Sequence, residues 1–295
     1  MTTNSKIMRG FSLVELIMVI VITGILSAMT AVFIQAPVQG YFDSARRAEM
    51  TDIADTALRR LGRDIRTAVP NSVRPAGTGT FIEFLPTRAG GRYRALPAAV
   101  PTAACGSAQN AVLDFGVADN CFEILGPQVN FTPNDQIVIG STQSNGVPPY
   151  ISTSAGILRA HSNASLGNQP TVIFTNAGLP EWAALPSQRF SVVDGAQQAV
   201  TYACVGDQGT LDPNQDGQAS LMRYWSYGYR TPQLGPAALA ALPATQAVLA
   251  DRVSRCVISY EAVNQRFGIV AIQLEITRGG EPIRLYHQIQ VNNAP

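Results

Sequence analysis

Charge is what this chain of 295 residues has least of. Asp, Glu, Lys and Arg make up 14% of it, against about 25% in an average soluble domain. From Leu16 to Ile34, 19 residues in a row, there is no charge at all. Histidine is scarce too, with only His161 and His287. Catalytic nucleophiles and proton transfers lean most often on a nearby histidine. No Gly-x-Ser-x-Gly, no Gly-rich phosphate loop ending in Lys and no His-Glu-x-x-His occurs, so the motifs of hydrolytic, nucleotide and zinc chemistry are missing. The chain does not read as an enzyme. Cys-x-x-Cys is absent and neither histidine lies near a cysteine, which argues against a zinc site. A formal net charge of +1 without a basic cluster leaves no electrostatic footprint for nucleic acid.

What is present begins with a short leader. Lys6 and Arg9 precede a small residue, Gly10, and an aromatic, Phe11, follows it. The run Phe11-Ser12-Leu13-Val14-Glu15-Leu16 holds one carboxylate, Glu15, among apolar neighbours. A helix needs about 20 apolar residues to cross a bilayer, and the uncharged stretch is close to that. Secretory signals are cut after their apolar region and lose it. Here the leader-like junction, Gly10-Phe11, lies before it. A cut there would keep the apolar helix on the mature chain and create a new amine at Phe11. A carboxylate at membrane depth is costly and by default marks a functional site.

This pattern resembles the class III signal of the type IV prepilin family. The resemblance implies that a prepilin peptidase cuts after Gly10 and methylates the new N-terminus at Phe11. It also implies that Glu15, the fifth mature residue, is needed for assembly, pairing with the amine of a neighbouring subunit as helices bundle.

Removing Lys6 and Arg9 leaves 19 basic against 20 acidic side chains. Both leader charges precede the apolar run, and after Glu15 no charge recurs until Asp43. That bias puts the N-terminus in the cytoplasm and everything past about residue 40 on the far side. All four cysteines, Cys105, Cys121, Cys204 and Cys256, fall in the outer region. An even count there reads as two disulfides. Of three possible connectivities, Cys105–Cys121 with Cys204–Cys256 is favoured because the first pair is close in sequence.

Helical periodicity resumes over residues 44–69. Ile53, Ala54, Ala57, Leu58, Leu61, Ile65 and Ala68 form one stripe, and Pro70 ends it. One helix over about residues 12–69 would be roughly 85 Å long. Pro37, followed by Gly40, predicts a bend or an unwound segment just past the membrane. The half before it is apolar all round, so it belongs in lipid or in a helix bundle.

From residue 71 onward the signals are strands and turns. Residues 80–85, 111–115, 136–139, 171–174 and 189–193 are short β-type runs. Residues 267–277 and 283–291 form a hairpin around Arg278-Gly279-Gly280-Glu281-Pro282, with Ile269, Ala271, Leu274 and Ile276 turned inward. Residues 97–110, 141–169 and 231–247 read as loops.

Two head segments invite a functional reading. Asp212-Pro213-Asn214-Gln215-Asp216-Gly217-Gln218 places oxygens at alternate positions and a glycine for the turn, like the first half of an EF-hand loop. Asp212, Asn214, Asp216 and the Gln218 carbonyl would be calcium ligands. Arg223 stands where the closing Glu belongs, and the same residues also make an ordinary polar turn. Tyr224-Trp225-Ser226-Tyr227-Gly228-Tyr229-Arg230 is either a packed strand face or a ligand surface, and core or subunit contact is the simpler reading.

The sequence therefore predicts an α+β, type IV pilin-like fold: a long N-terminal transmembrane helix packed on an antiparallel β-sheet head. Its divisions are a leader (1–10), the long helix (11–69, membrane part 11–36 and head-packed part 44–69) and an extracytoplasmic β-rich head (70–295). Within the family it is most similar to minor pilins of MSHA pilus biogenesis. The similarity covers residues 8–74, including Tyr41 and Pro70-Asn71-Ser72-Val73-Arg74, and returns at Leu285-Tyr286-His287-Gln288-Ile289-Gln290-Val291. It implies as partners the inner membrane, the prepilin peptidase, other major and minor pilins and a pilus assembly platform. Two other roles remain open: a minor pseudopilin of a type II secretion system, and a membrane-anchored ligand-binding domain or enzyme.

Overall fold

The computed structural model describes residues 10–97, 105, 111–142, 148–153, 155–175, 178–264 and 266–294. The leader residues before Gly10, Lys6 and Arg9 included, lie outside the described residues. The chain divides into two units, Met1–Met50 and Thr51–Pro295.

Helix α1 (Leu13–Arg66, 54 residues) supplies all the described regular structure of the first unit and opens the second. Pro37 lies inside it without a break, so the expected unwound segment is not found. A proline withholds one N–H from the ladder, and the turns on both sides are long enough to carry that loss. The helix also stops three residues earlier than expected. Thr67 N–H turns to Asp64 O and Ala68 N–H to Ile65 O, while Val69 N–H leaves for Leu85 O.

In the second unit the expected stripe is buried: Ala54, Ala57, Leu58, Leu61 and Ile65 are at most 2% exposed. They face a seven-stranded antiparallel sheet built from β1 (Arg74–Pro75), β2 (Phe81–Phe84), β11 (Val200–Val205), β12 (Ala219–Trp225), β13 (Thr245–Ala262), β14 (Phe267–Arg278) and β15 (Glu281–Asn292), in that order. At Gly62 α1 lies against β15: a Cβ there would reach ordinary contact with His287 Nε2 at 3.4 Å and Ile289 Cγ1 at 3.5 Å. Asp64 pins the helix to β11 and β12, which β13 and β14 separate from β15. The Tyr202 hydroxyl of β11 and the Arg223 Nε of β12 donate to its Oδ2 at 2.7 and 2.9 Å.

The C-terminal hairpin is present with a tighter turn than expected. Only Gly279 and Gly280 separate β14 from β15, at φ 59° and 77°. Two consecutive positive φ values are what a type I′ turn requires. The inward set is corrected by one residue in part. Val270, Ile272, Leu274 and Ile276 are buried, whereas Ile269 and Ala271 lie half-buried on the other face. Positions 269 and 274 differ by an odd number, so a period of 2 cannot put both inside.

Strand β13 is long because it serves two partners. Thr245–Val253 pairs with β12 and Val253–Ala262 with β14, and a register shift lies at Val253–Arg255 beside Arg252, whose φ is 52°. A bulge of this kind bends the strand.

A second antiparallel sheet holds β7 (Leu158–Ala160), β6 (Gln136–Ile139), β10 (Arg189–Val193), β3 (Thr87–Tyr93), β4 (Cys121–Leu125) and β9 (Thr171–Ile173), with β5 (Val129–Phe131) pairing β8 (Gly167–Gln169) apart. Phe122, Phe131, Phe174 and Phe190 fill its core. The run 111–115 is not a strand. It sends Leu113 into that core, but only Phe115 makes a bridge, to Leu179. The expected loop 141–169 contains β7 and β8, and that at 231–247 contains α2 (Pro236–Ala240) and the start of β13. Disulfides join Cys105 to Cys121 and Cys204 to Cys256, the pairs favoured from the sequence.

Candidate functional site: the N-terminal helix

The first unit exposes what a water-soluble protein hides. Its described large apolar side chains between Phe11 and Ile34 run from 48% (Val19) to 84% (Phe33) exposed. Among the described helices, α1 alone is long and apolar enough to cross a bilayer, by length and composition. An apolar surface this continuous marks a membrane or protein contact. The polar interruptions are neutralised within the helix. Thr23 and Thr30 donate their hydroxyls to Val19 O and Leu26 O, both at 2.7 Å, so neither hydroxyl meets lipid unpaired.

The helix starts directly after the expected processing site. Gly10 and Phe11 precede the first helical residue, Leu13, and both are exposed. A cut between them would leave every turn of α1 whole. A Cβ on Gly10 would meet nothing within 4 Å, so the fold of the chain itself does not require glycine there.

Ser12 caps the helix. Its Oγ accepts the Glu15 N–H at 3.2 Å, and its carbonyl accepts the Leu16 N–H at 3.1 Å. Ser-x-x-Glu is the capping-box spacing. Sequence reasoning missed this use of Ser12, although the spacing was there to find. The cap puts Glu15 in the first turn, where a carboxylate complements the helix dipole and a free amine at Phe11 would oppose it. One acid thus faces both a positive helix end and any nearby ammonium.

The other candidates have structural work in the head. Both oxygens of Asp216 are occupied: Oδ2 takes Arg252 Nε at 3.0 Å and Oδ1 takes the Gly279 N–H at 2.7 Å. Asp212 Oδ1 accepts the N–H groups of Asn214 and Asp216 at 2.9 and 2.8 Å. A Cβ on Gly217 would lie 2.3 Å from Arg252 O. The loop therefore seats the bulge of β13 against the β14–β15 turn. Calcium at Asp216 would have to compete with Arg252. Among the described residues no group of three or more His, Cys, Asp or Glu is arranged to hold a metal.

Tyr224 and Tyr227 are buried. The Tyr227 hydroxyl donates to Glu83 Oε1 at 3.0 Å and lies 2.6 Å from Thr201 Oγ1. Glu83 is itself 1% exposed and paired with Arg74. Burial pushes its carboxyl above the usual 4.5, with Arg74 and Tyr227 opposing. His161 stacks on Phe131 with ring centroids 3.9 Å apart, its Nε2 buried without a partner. Burial lowers its pKa below 6.5, against the pull of Asp135. His287 faces Gly62 on α1.

Residues 6–31 match a family model described as the prokaryotic N-terminal methylation motif. No curated protein and no solved structure matches the chain. The motif supports a type IV pilin- or pseudopilin-like protein that is processed by prepilin peptidase, and with the apolar helix it supports membrane anchoring.

Proposed function

We propose that the chain is a minor pilin, incorporated in a type IV pilus of the MSHA-like kind or priming its assembly. One observation carries this: an apolar helix whose described side chains from Phe11 to Ile34 are exposed begins, capped, two residues after Gly10-Phe11, with Glu15 in its first turn. Cleavage after Gly10 frees the Phe11 amine. Glu15 then offers the charge partner that a neighbouring subunit's amine needs once both leave water. The charge bias of the leader puts the N-terminus in the cytoplasm and the head in the periplasm. The 225 residues after Pro70 are more head than a subunit present in thousands of copies requires, which suits a scarce subunit at a tip or in an initiation complex.

Deleting the gene tests the role. Loss of surface pili with protein secretion intact is the expected result. Loss of secretion with pili intact would move the chain to a type II secretion pseudopilus. Neither defect would remove it from filament assembly.

A further inference from the structure

Most of the partly buried arginines of the head have a carboxylate. Arg74 pairs with Glu83, Arg88 with Asp135, Arg94 with Glu123, Arg223 with Asp64 and Arg252 with Asp216. Among the exposed arginines, four gather at two adjoining clefts. Arg66, Arg92 and Arg189 line a cleft of about 540 Å³. Arg66 and Arg266 line its neighbour of about 550 Å³. The two clefts share Arg66, Asn292 and Ala294, and neither is lined by an Asp or Glu.

The arrangement is costly without a ligand. Arg92 on β3 and Arg189 on β10 are directly opposite in the antiparallel register. Like charges facing each other across a strand pair destabilise the sheet. Among the described residues, the side-chain hydrogen bond at this pair runs from Arg92 Nη2 to the Gln188 amide oxygen at 3.4 Å, which neutralises nothing. Arg66 has an ordinary explanation, since a cation suits the last turn of α1. That explanation does not reach Arg92, Arg189 or Arg266, which stand on strands or a turn.

We propose that this double cleft binds a carboxylate-rich peptide segment of a partner protein. Guanidinium forks match carboxylates bidentately. Each cleft has the volume of a small-ligand site, and two in series suit an extended chain with several acids rather than a single ion. Hydroxyls and an amide on the walls, Thr67, Ser191 and Asn292, can meet peptide groups between the acids. Gly90, exposed on the same strand face as Arg92, leaves the floor bare there. The aromatic rings on the walls are Phe190, 3% exposed, and Phe267, half-buried, short of the open platform that stacked sugars or bases would use. The proposal is independent of the pilus reading.

Full-length protein in neutral detergent can be titrated with labelled hexaglutamate, with hexaglutamine as control and inorganic phosphate, heparin and a DNA oligonucleotide as competitors. Hexaglutamate should bind, more weakly as salt rises, and hexaglutamine should not. The double variant Arg92→Gln, Arg189→Gln should weaken binding by about tenfold or more. Arg255→Gln, at an exposed arginine outside the clefts, should leave it unchanged. Relief of the facing charges should also raise the melting temperature of the double variant by about 1–3 °C. No hexaglutamate binding, binding indifferent to the double variant, or binding of heparin or DNA alone would overturn the proposal. So would a lower melting temperature, which would make these arginines structural.

Discussion

Glu15 is an exposed carboxylate in the first turn of an otherwise apolar helix end. Replacing it with leucine removes a desolvation cost, so Glu15→Leu should reach the membrane at the wild-type level. It should nonetheless fail to enter a filament, which membrane fractionation beside sheared-filament immunoblots would show; a variant that assembles fully would refute the proposed amine contact. Asp216 predicts differently. Its carboxylate joins Arg252 to the Gly279 N–H, so Asp216→Ala should cost about 1–3 kcal/mol whether or not calcium is added. Melting the wild type with millimolar calcium and with chelator should give equal midpoints. A calcium-dependent rise that Asp216→Ala abolishes would restore the ion-binding reading.

Glu83 supplies a pH test. Its carboxyl is raised by burial above 4.5, so the folded state holds the proton more tightly than the unfolded chain. Its contribution is complete below pH 4.5 and is lost as pH rises through the folded value. Relative to Glu83→Gln, which cannot titrate, the wild type should lose melting temperature between pH 4.5 and 7. A growing wild-type advantage over that range would mean that Arg74 outweighs burial.

Among the elements, α1 depends on one close approach. A Cβ at Gly62 would sit at ordinary contact distance, 3.4 Å from His287 and 3.5 Å from Ile289. Gly62→Ala should therefore fit and gain up to about 1 kcal/mol of helix propensity. Gly62→Leu cannot fit without prising α1 from β15 and should lower the midpoint by several degrees. Thermal melts of the two variants, one up and one down, check the contact. Opposite behaviour would mean that the helix is not seated there.

The elements differ in how far the sequence announces them. The α1 stripe is legible because five of its apolar residues, Ala54, Ala57, Leu58, Leu61 and Ile65, recur at helical spacing and are buried against one sheet. The hairpin is legible because two consecutive glycines interrupt a long alternation. Strand β3 is not, since Gly90 and Gly91 offer no side chain to read and the strand is specified by its neighbours β10 and β4. The run 111–115 misleads in the other direction: Leu113 is buried and single backbone hydrogen bonds tie it to Arg94 and Ala111 to Glu123, but no ladder forms, a difference the sequence does not record. Ser12 shows the limit at the site. Its spacing to Glu15 is plain, yet its role as a cap depends on the helix beginning at Leu13, and that start is set by backbone geometry.

At the scale of the molecule, the exposed helix of the first unit and the packed head of the second call for different surroundings. The Thr51–Pro295 unit buries α1 against its own sheet and carries two disulfides, one from Cys105 to β4 and one between β11 and β13. The described apolar side chains of the Met1–Met50 unit are exposed, Met50 excepted. That contrast rests on the helix being retained after processing, and the intact mass and N-terminal sequence of protein extracted from the membrane test this most directly. A mature chain starting at a methylated Phe11, with residues 1–10 gone and the apolar helix kept, is the predicted result. A chain starting at Met1, or one cut after residue 30 so that the helix is lost, would contradict it.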